Sequence, residues 1–301
     1  MKKEKININY EIAKNHHYIH LAPLCRPIKR GARRGGVKKI YEMQNKKIKL
    51  IVNMFKELDV ADLDLLITLL AIGLKNFNNL EGNKQLTESI KLENKNFKCN
   101  LEERIKLEKE LTKVKQIFEY SDKMVTFQIS GYELLKELNK STGAANYKWL
   151  QDSLDRLSQT VITIDTPLLR ASTPLLSYVF LKEEKKIKVT LNPINSFVIL
   201  NDKQGFILIN RKERFFLKKE TSKILHSILL YLINQNSSKK LEIDTLVKKV
   251  FQFSDKDFDN LKQDKKKELR KKIREALKEI NNLETWKVNL EERKITTITR
   301  L

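Results

Sequence analysis

Cysteine is almost absent: Cys25 and Cys99 are the only two in 301 residues. They form no CxxC pair and no framework of bridges, so they read as reduced thiols in a reducing compartment. No uncharged apolar stretch reaches the roughly 18 residues that a bilayer-crossing helix needs. The longest apolar run, Leu63 to Leu74, is interrupted by Asp64 and Thr68 and reads as a core helix. The start, Met1-Lys2-Lys3-Glu4-Lys5, has no apolar region behind it, so it does not resemble a secretory signal, and a cytoplasmic protein with no membrane partner is expected. Catalytic signatures are missing as well. There is no GxxxxGK[ST] loop for a nucleotide, no GxGxxG and no GxSxG. His16, His17, His20 and Cys25 put four donors in ten residues, but their spacing matches no zinc finger, and neither metal nor cofactor is expected. A protein that is not an enzyme is the reading that remains.

Basic charge is abundant. Sixty Lys and Arg stand against 38 Asp and Glu, a net of +22, which favours a polyanionic partner, with nucleic acid first. Abundant Lys, Asn and Ile suggest an AT-rich coding genome that inflates lysine, so the distribution of charge is more telling than its total. Residues 1–50 hold 14 basic and three acidic residues, half of the whole surplus. Within them Arg26 to Lys39 carries seven basic residues and no acidic one, and four of the seven are arginines, which lysine inflation does not explain. Gly31, Gly35 and Gly36 argue against a helix. Residues 1–44 are therefore expected to form a flexible basic arm along a phosphate backbone, with Arg26, Lys29, Arg30, Arg33 and Arg34 as its contacts.

The rest reads as an α+β, helix-rich chain of two domains. Ala61 to Leu74 is apolar at helical length and predicts a buried helix. Residues 75–120 are polar and read as an insertion with a helix over Leu101 to Phe118. Lys123 to Ile129 alternates like a strand. Ser130 and Glu133 make a capping box for a helix through Leu138, and Ser141-Thr142-Gly143 turns the chain. A second helix, Ala144 to Ser158, sets Tyr147, Leu150, Leu154 and Leu157 on one face. Strands follow at Thr160 to Asp165, Ser177 to Leu181 and Ile187 to Leu191, with a loop around Pro167 and Pro174. This is the order of a winged helix, a helix-turn-helix followed by a β wing. The order recurs: a helix over Glu220 to Asn234, a strand at Leu241 to Ile243, a helix capped by Asp244, a long helix over Gln263 to Asn281, and two strands around the tip Glu291-Glu292-Arg293. The chain is thus read as two tandem winged-helix domains, 45–203 and 204–301, behind the arm.

The long C-terminal helix has the clearest DNA-facing pattern. At about 100° per residue, Leu269, Ile273, Ala276, Leu277 and Ile280 share one face. Lys267, Lys271, Arg274 and Lys278 lie opposite, flanked by Lys266 and Arg270. An apolar back and a cationic front suit a major groove, with lysines on phosphates and Arg270 or Arg274 on guanine. The helix of the first domain turns Lys148, Trp149, Asp152 and Arg156 outward and is less cationic. Its Asp152 and Asp155 repel phosphates unless they accept from cytosine or pair with Arg156; Trp149 is equally well read as a packed aromatic. Arg293 at the wing tip completes the candidate set.

Short segments along the chain are also familiar. His20-Leu21-Ala22-Pro23, Lys29-Arg30-Gly31, Gly131-Tyr132 with Leu135, the Ala144 helix start and Asp155-Arg156-Leu157 come in order. Leu191-Asn192-Pro193, Ile243-Asp244-Thr245-Leu246, Arg274-Glu275-Ala276-Leu277, Trp286 and Val288 follow. Together they resemble the RepC family of IncQ-type plasmid replication initiators, from about residue 16 to 289. The resemblance implies two winged-helix domains that bind iterons, the direct repeats of a duplex origin. It implies opening of nearby AT-rich DNA and recruitment of a replicative helicase, without ATP hydrolysis by this chain, and self-association on DNA is a further expectation. The competing readings are a winged-helix transcription regulator, which also covers an autorepressor, and a rolling-circle nicking enzyme. The last needs a metal and a reactive tyrosine, and only the His-rich stretch beside Tyr18 offers both.

Overall fold

The computed structural model describes residues 11–16, 24–28, 32–43, 48–80, 124–167, 169–200, 206–290 and 295–301. Its centre is the longest apolar run of the sequence. Helix α1, Val60–Leu80, buries Leu65, Leu66, Ile67, Leu69, Leu70, Ala71 and Ile72 to 1 % exposure or less. Two aspartates close its first turn: Asp59 N–H donates to Asp62 Oδ2 (3.0 Å), and Asp62 N–H to Asp59 Oδ1 (2.9 Å). This is a reciprocal cap with a carboxylate at both places. Gly73 lies where a Cβ would come within 3.0 Å of Leu191 and 3.3 Å of Phe127 and Val125. The missing side chain lets α1 approach the sheet.

The strands form four antiparallel sheets. Strand β1 (Ile12–His16) pairs with β9 (Phe206–Asn210). Strands β2 (Gly35–Met43), β3 (Ile48–Lys56), β5 (Thr160–Asp165) and β6 (Arg170–Pro174) form a sheet in the order β2-β3-β5-β6. Strands β4 (Thr126–Ser130), β7 (Leu176–Leu181) and β8 (Lys186–Leu191) make the order β4-β8-β7. Strands β10 (Ser237–Glu242), β11 (Trp286–Asn289) and β12 (Ile295–Arg300) make the order β10-β12-β11. Helix α1 packs against strands of two of these sheets, β1 and β4.

The remaining helices are α2 (Gly131–Glu137), α3 (Ala144–Ser158), α4 (Pro193–Leu200), α5 (Arg211–Phe216), α6 (Glu220–Leu232), α7 (Ile243–Phe251), α8 (Asp255–Asp259) and α9 (Gln263–Ile280). One connectivity occurs twice. It runs strand, helix, helix, hairpin, with the first strand bonded to the last. The first copy is β4, α2, α3, β7, β8, with the β5–β6 hairpin inserted before β7. The second is β10, α7, α9, β11, β12, with α8 inserted between its helices.

The α+β class is as expected, but several local expectations are corrected. Part of the arm is folded: residues 35–43 are β2, registered against β3 from Gly35↔Lys56 to Met43↔Ile48. The charge run conceals a period-two pattern, Val37, Lys39 and Tyr41 half-buried against Lys38, Ile40 and Glu42 exposed. Thr160 to Asp165 joins β3 and β6 rather than a wing. The loop around Pro174 contains β6, whose last residue is Pro174, where an edge strand tolerates a missing donor. Residues 75–80 continue α1 instead of opening the insertion; 81–120, with the helix expected at 101–118, lies outside the described residues. Among the described residues no helix is long and apolar enough to cross a membrane.

Candidate nucleic-acid interface

In the first copy the capping box forms as expected. Ser130 Oγ accepts from Glu133 N–H (3.1 Å), and Ser130 N–H donates to Glu133 Oε2 (3.2 Å). Gly131 admits the Tyr147 ring, which an added Cβ would meet at 3.0 Å. Helix α3 buries Leu150, Ser153, Leu154 and Leu157. Its outward side presents Tyr147, Lys148, Gln151 and Asp152. Trp149 is half-buried, with Lys140 Nζ 4.2 Å above its ring, so the packed-aromatic reading fits it better.

Arg156 does not face outward. Its Nη2 donates to Asp62 Oδ1 (2.7 Å) and its Nε to both Asp62 oxygens (3.2 and 3.1 Å). Asp62 is fully buried and also accepts from Arg33 Nη1 (2.8 Å) and Ser153 Oγ. Burial pushes its carboxyl up, but the Arg156 hydrogen bond and charge outweigh this and hold it below the usual range. Asp155 is occupied too, accepting from the Tyr178 hydroxyl.

Facing α3 is the β7–β8 hairpin, whose tip carries exposed Lys182, Lys185 and Lys186, the last opening β8 and lying 3.8 Å from Glu184. Lys185 takes a left-handed φ of 52° there. A cleft of about 510 Å³ runs between helix and hairpin, lined by Lys148, Gln151 and these three lysines among others. The hairpin lysines are the part of this surface that sequence reading missed. The Lys182 to Lys188 run was visible, but only the tertiary pairing brings it beside α3.

In the second copy α9 buries Leu269, Ile273, Ala276, Leu277 and Ile280, the expected stripe. Lys267, Lys271 and Lys278 are exposed along the other side, and Arg274 is half-buried. Lys267 lies 3.5 Å from Asp264, both well exposed. Lys266 donates to the Asp259 carbonyl (3.0 Å) and covers the Phe258 ring. Arg270 is committed elsewhere: its Nε and Nη2 grip Asp244 at 2.6 and 2.7 Å, fastening α9 to α7. This bidentate hydrogen bond holds the Asp244 carboxyl below its ordinary range. Asp244 is thus a partner for Arg270 and not the helix cap, a place taken by Glu242. Glu268, between Lys265 (2.7 Å) and Lys272 (2.6 Å), is held down to about 2 by those hydrogen bonds.

Of the expected arm contacts, Arg26, Arg33 and Arg34 are paired with carboxylates, Arg34 while still exposed. Arg26 Nε donates to Glu57 Oε1 (2.7 Å), Arg34 Nη2 binds the same carboxylate (3.0 Å), and Arg33 bridges Asp59 and Asp62. Glu57 is fully buried; burial raises its carboxyl, but the hydrogen bonds of Arg26 and Arg34 win and lower it to about 2. Lys29, Arg30 and Arg293 lie outside the described residues. Of the His16, His17, His20 and Cys25 group, His17 and His20 lie outside them too. Cys25 itself is buried, and burial pushes its thiol up to about 12.

Two copies of a strand-helix-helix-hairpin unit, each with exposed lysine on its longer helix, define an α+β protein with cationic faces beside both hairpins. The fold is similar to that of domains 2 and 3 of RctB. One crystal structure, spanning residues 155–483 of RctB, matches with a TM-score of 0.50 at 10% identity, over 95% of this chain and 97% of that one. A selenomethionine crystal structure of the same two domains gives 0.51 at 9%, over 92% and 94%. At such identities the likeness is one of fold. The family of Replication protein C (RepC) matches residues 5–300, and the chain belongs to that family. No curated protein matches the chain.

Proposed function

We propose that this protein is a plasmid replication initiator, not an enzyme, that binds direct repeats in duplex origin DNA through two winged-helix domains. The observation that carries the reading is the repeated connectivity. In both copies the first strand bonds the last strand of a hairpin, and a helix with a buried apolar back lies beside that hairpin. Each helix is offered to a major groove and each hairpin to the adjacent backbone. Membership of the RepC family supports replication as the setting. The domains are taken as 45–203 and 204–301, with β1 paired to β9 of the second and β2 to β3 of the first.

Lysines of α9 and of the β7–β8 turn are assigned to phosphates. Base-edge reading is assigned to Arg274 and Gln151, while Arg270 and Arg156 pair with Asp244 and Asp62 and hold helices in position. Several copies on phased repeats would strain the duplex, so that flexible AT-rich steps open first and a replicative helicase is brought to them. Footprinting on the plasmid's own origin, in about 0.15 M salt with excess random duplex, tests this. Regularly spaced protection over direct repeats is the expected result. One protected palindrome would make the protein a transcription regulator, and magnesium-dependent nicking of supercoiled origin DNA would make it a nicking enzyme.

A further inference from the structure

A second groove, of about 620 Å³, lies between β2 and the helices α6 and α7. Lys38 and Ile40 line it from β2, Ile228 and Tyr231 from α6, and Lys249 and Phe253 from α7 and its end. Three features point to an occupant. First, β2 ends its sheet, so among the described residues one edge of this nine-residue strand bonds no other strand. Second, Ile40 is 54% exposed on that edge, where apolar residues invite strand pairing. Third, the lining is cationic, with Arg34, Lys38, Lys39, Lys248 and Lys249 and no carboxylate. Arg34 and Lys248 are neutralised by Glu57 and Asp255, which lie outside the lining, and Lys39 donates to Gln252. Lys38 and Lys249 are exposed.

We propose that this groove takes an extended acidic segment of a partner protein, which adds as a strand to β2 and sets its carboxylates against Lys38 and Lys249. Strand addition draws affinity from main-chain hydrogen bonds and specificity from alternate side chains. Apolar residues of the segment would pack on Ile40, Ile228 and Tyr231. Single-stranded nucleic acid fits less well, because it needs exposed aromatic faces for stacking. Tyr231, 37% exposed, is the only exposed aromatic in the lining, since Tyr41 and Phe253 are partly buried. A backbone edge offers bases nothing comparable.

The test starts from random peptides of about 12 residues, enough at about 3.3 Å per residue to span β2. They are displayed on phage, selected on the full chain and counter-selected on K38E/K249E. Survivors should alternate Asp or Glu with apolar residues. The best one, synthesised and labelled, should bind K38E/K249E roughly tenfold more weakly. It should weaken similarly when alternate backbone amides are N-methylated, which removes the donors that pair with β2. An unchanged thermal melt and unchanged duplex binding show that K38E/K249E is folded. The proposal is overturned if no peptide survives, if survivors lack acidic residues, or if N-methylation leaves affinity unchanged. It is also overturned if a thymidine 12-mer displaces the peptide at equal concentration, which would make the groove a nucleic-acid site.

Discussion

Replacing Arg156 with alanine separates two roles that the sequence alone leaves confused. In the structure this guanidinium makes three contacts of 2.7 to 3.2 Å with the buried Asp62 carboxylate, and its side chain is 11% exposed. Hydrogen bonds to charged groups contribute about 1.5–3 kcal/mol, and breaking a wholly buried pair costs about 3–5 kcal/mol. Asp62 would keep Arg33 and Ser153, so the lower range applies, and Arg156→Ala should cost about 2–3 kcal/mol. At about 2 °C per kcal/mol for a chain of this size, the melting temperature should fall by roughly 4–6 °C. Urea titration should show a lower midpoint with an unchanged slope. Well below the melting temperature the folded fraction should bind duplex DNA within about threefold of wild type, since no backbone contact is lost. The reverse pattern, an unchanged melt with binding down tenfold or more, would return Arg156 to the DNA surface and refute the latch.

Three further outcomes are expected. Lys182, Lys185 and Lys186 changed together to alanine should make the slope of log K against log salt shallower by up to about 2.7, or 0.9 per phosphate contact; an unchanged slope would remove the hairpin from the interface. Gly73→Ala gains about 1 kcal/mol of helix propensity but forces a Cβ to 3.0 Å from Leu191. Overpacking costs about 1–3 kcal/mol, so a net loss of about 1 kcal/mol should appear in the same urea titration, and a stabilised variant would show that α1 can shift. Glu57 titrates near 4.5 when unfolded and about 2 when folded, so its contribution is present above pH 4.5 and lost as pH falls toward 2. Acid titration should loosen Arg26, Arg34 and the start of β2 in that window, read by hydrogen exchange, while Glu57→Gln should be loosened already at neutral pH.

Periodicity was most legible where one face of an element is buried and the other is wet. Helix α9 and its five-residue stripe could be read directly, because a spacing of 3.6 residues leaves a single way to bury Leu269, Ile273, Ala276, Leu277 and Ile280. The Ser130–Glu133 box was readable because capping is local to four residues. Arginine roles were not readable. Arg26, Arg33, Arg34, Arg156 and Arg270 all looked like DNA contacts, yet each is paired with a carboxylate, at sequence separations of 23 to 94 residues. Charge counted along a chain cannot show which opposite charge folding will bring beside it. The β7–β8 lysines failed in the opposite direction, being ordinary in sequence and placed beside α3 only by strand pairing.

By itself, then, the sequence determined the α+β class, the RepC resemblance, the two helices with buried stripes and the excess of positive charge. These depend on local spacing and on composition, which persist whatever the chain does elsewhere. The tertiary structure alone decided that part of the basic arm is a sheet edge, that Asp62 and Glu57 gather four arginines, and which cations remain facing outward. A buried carboxylate must be paired or it costs several kcal/mol, and that demand is met across the fold by whichever guanidinium the packing delivers.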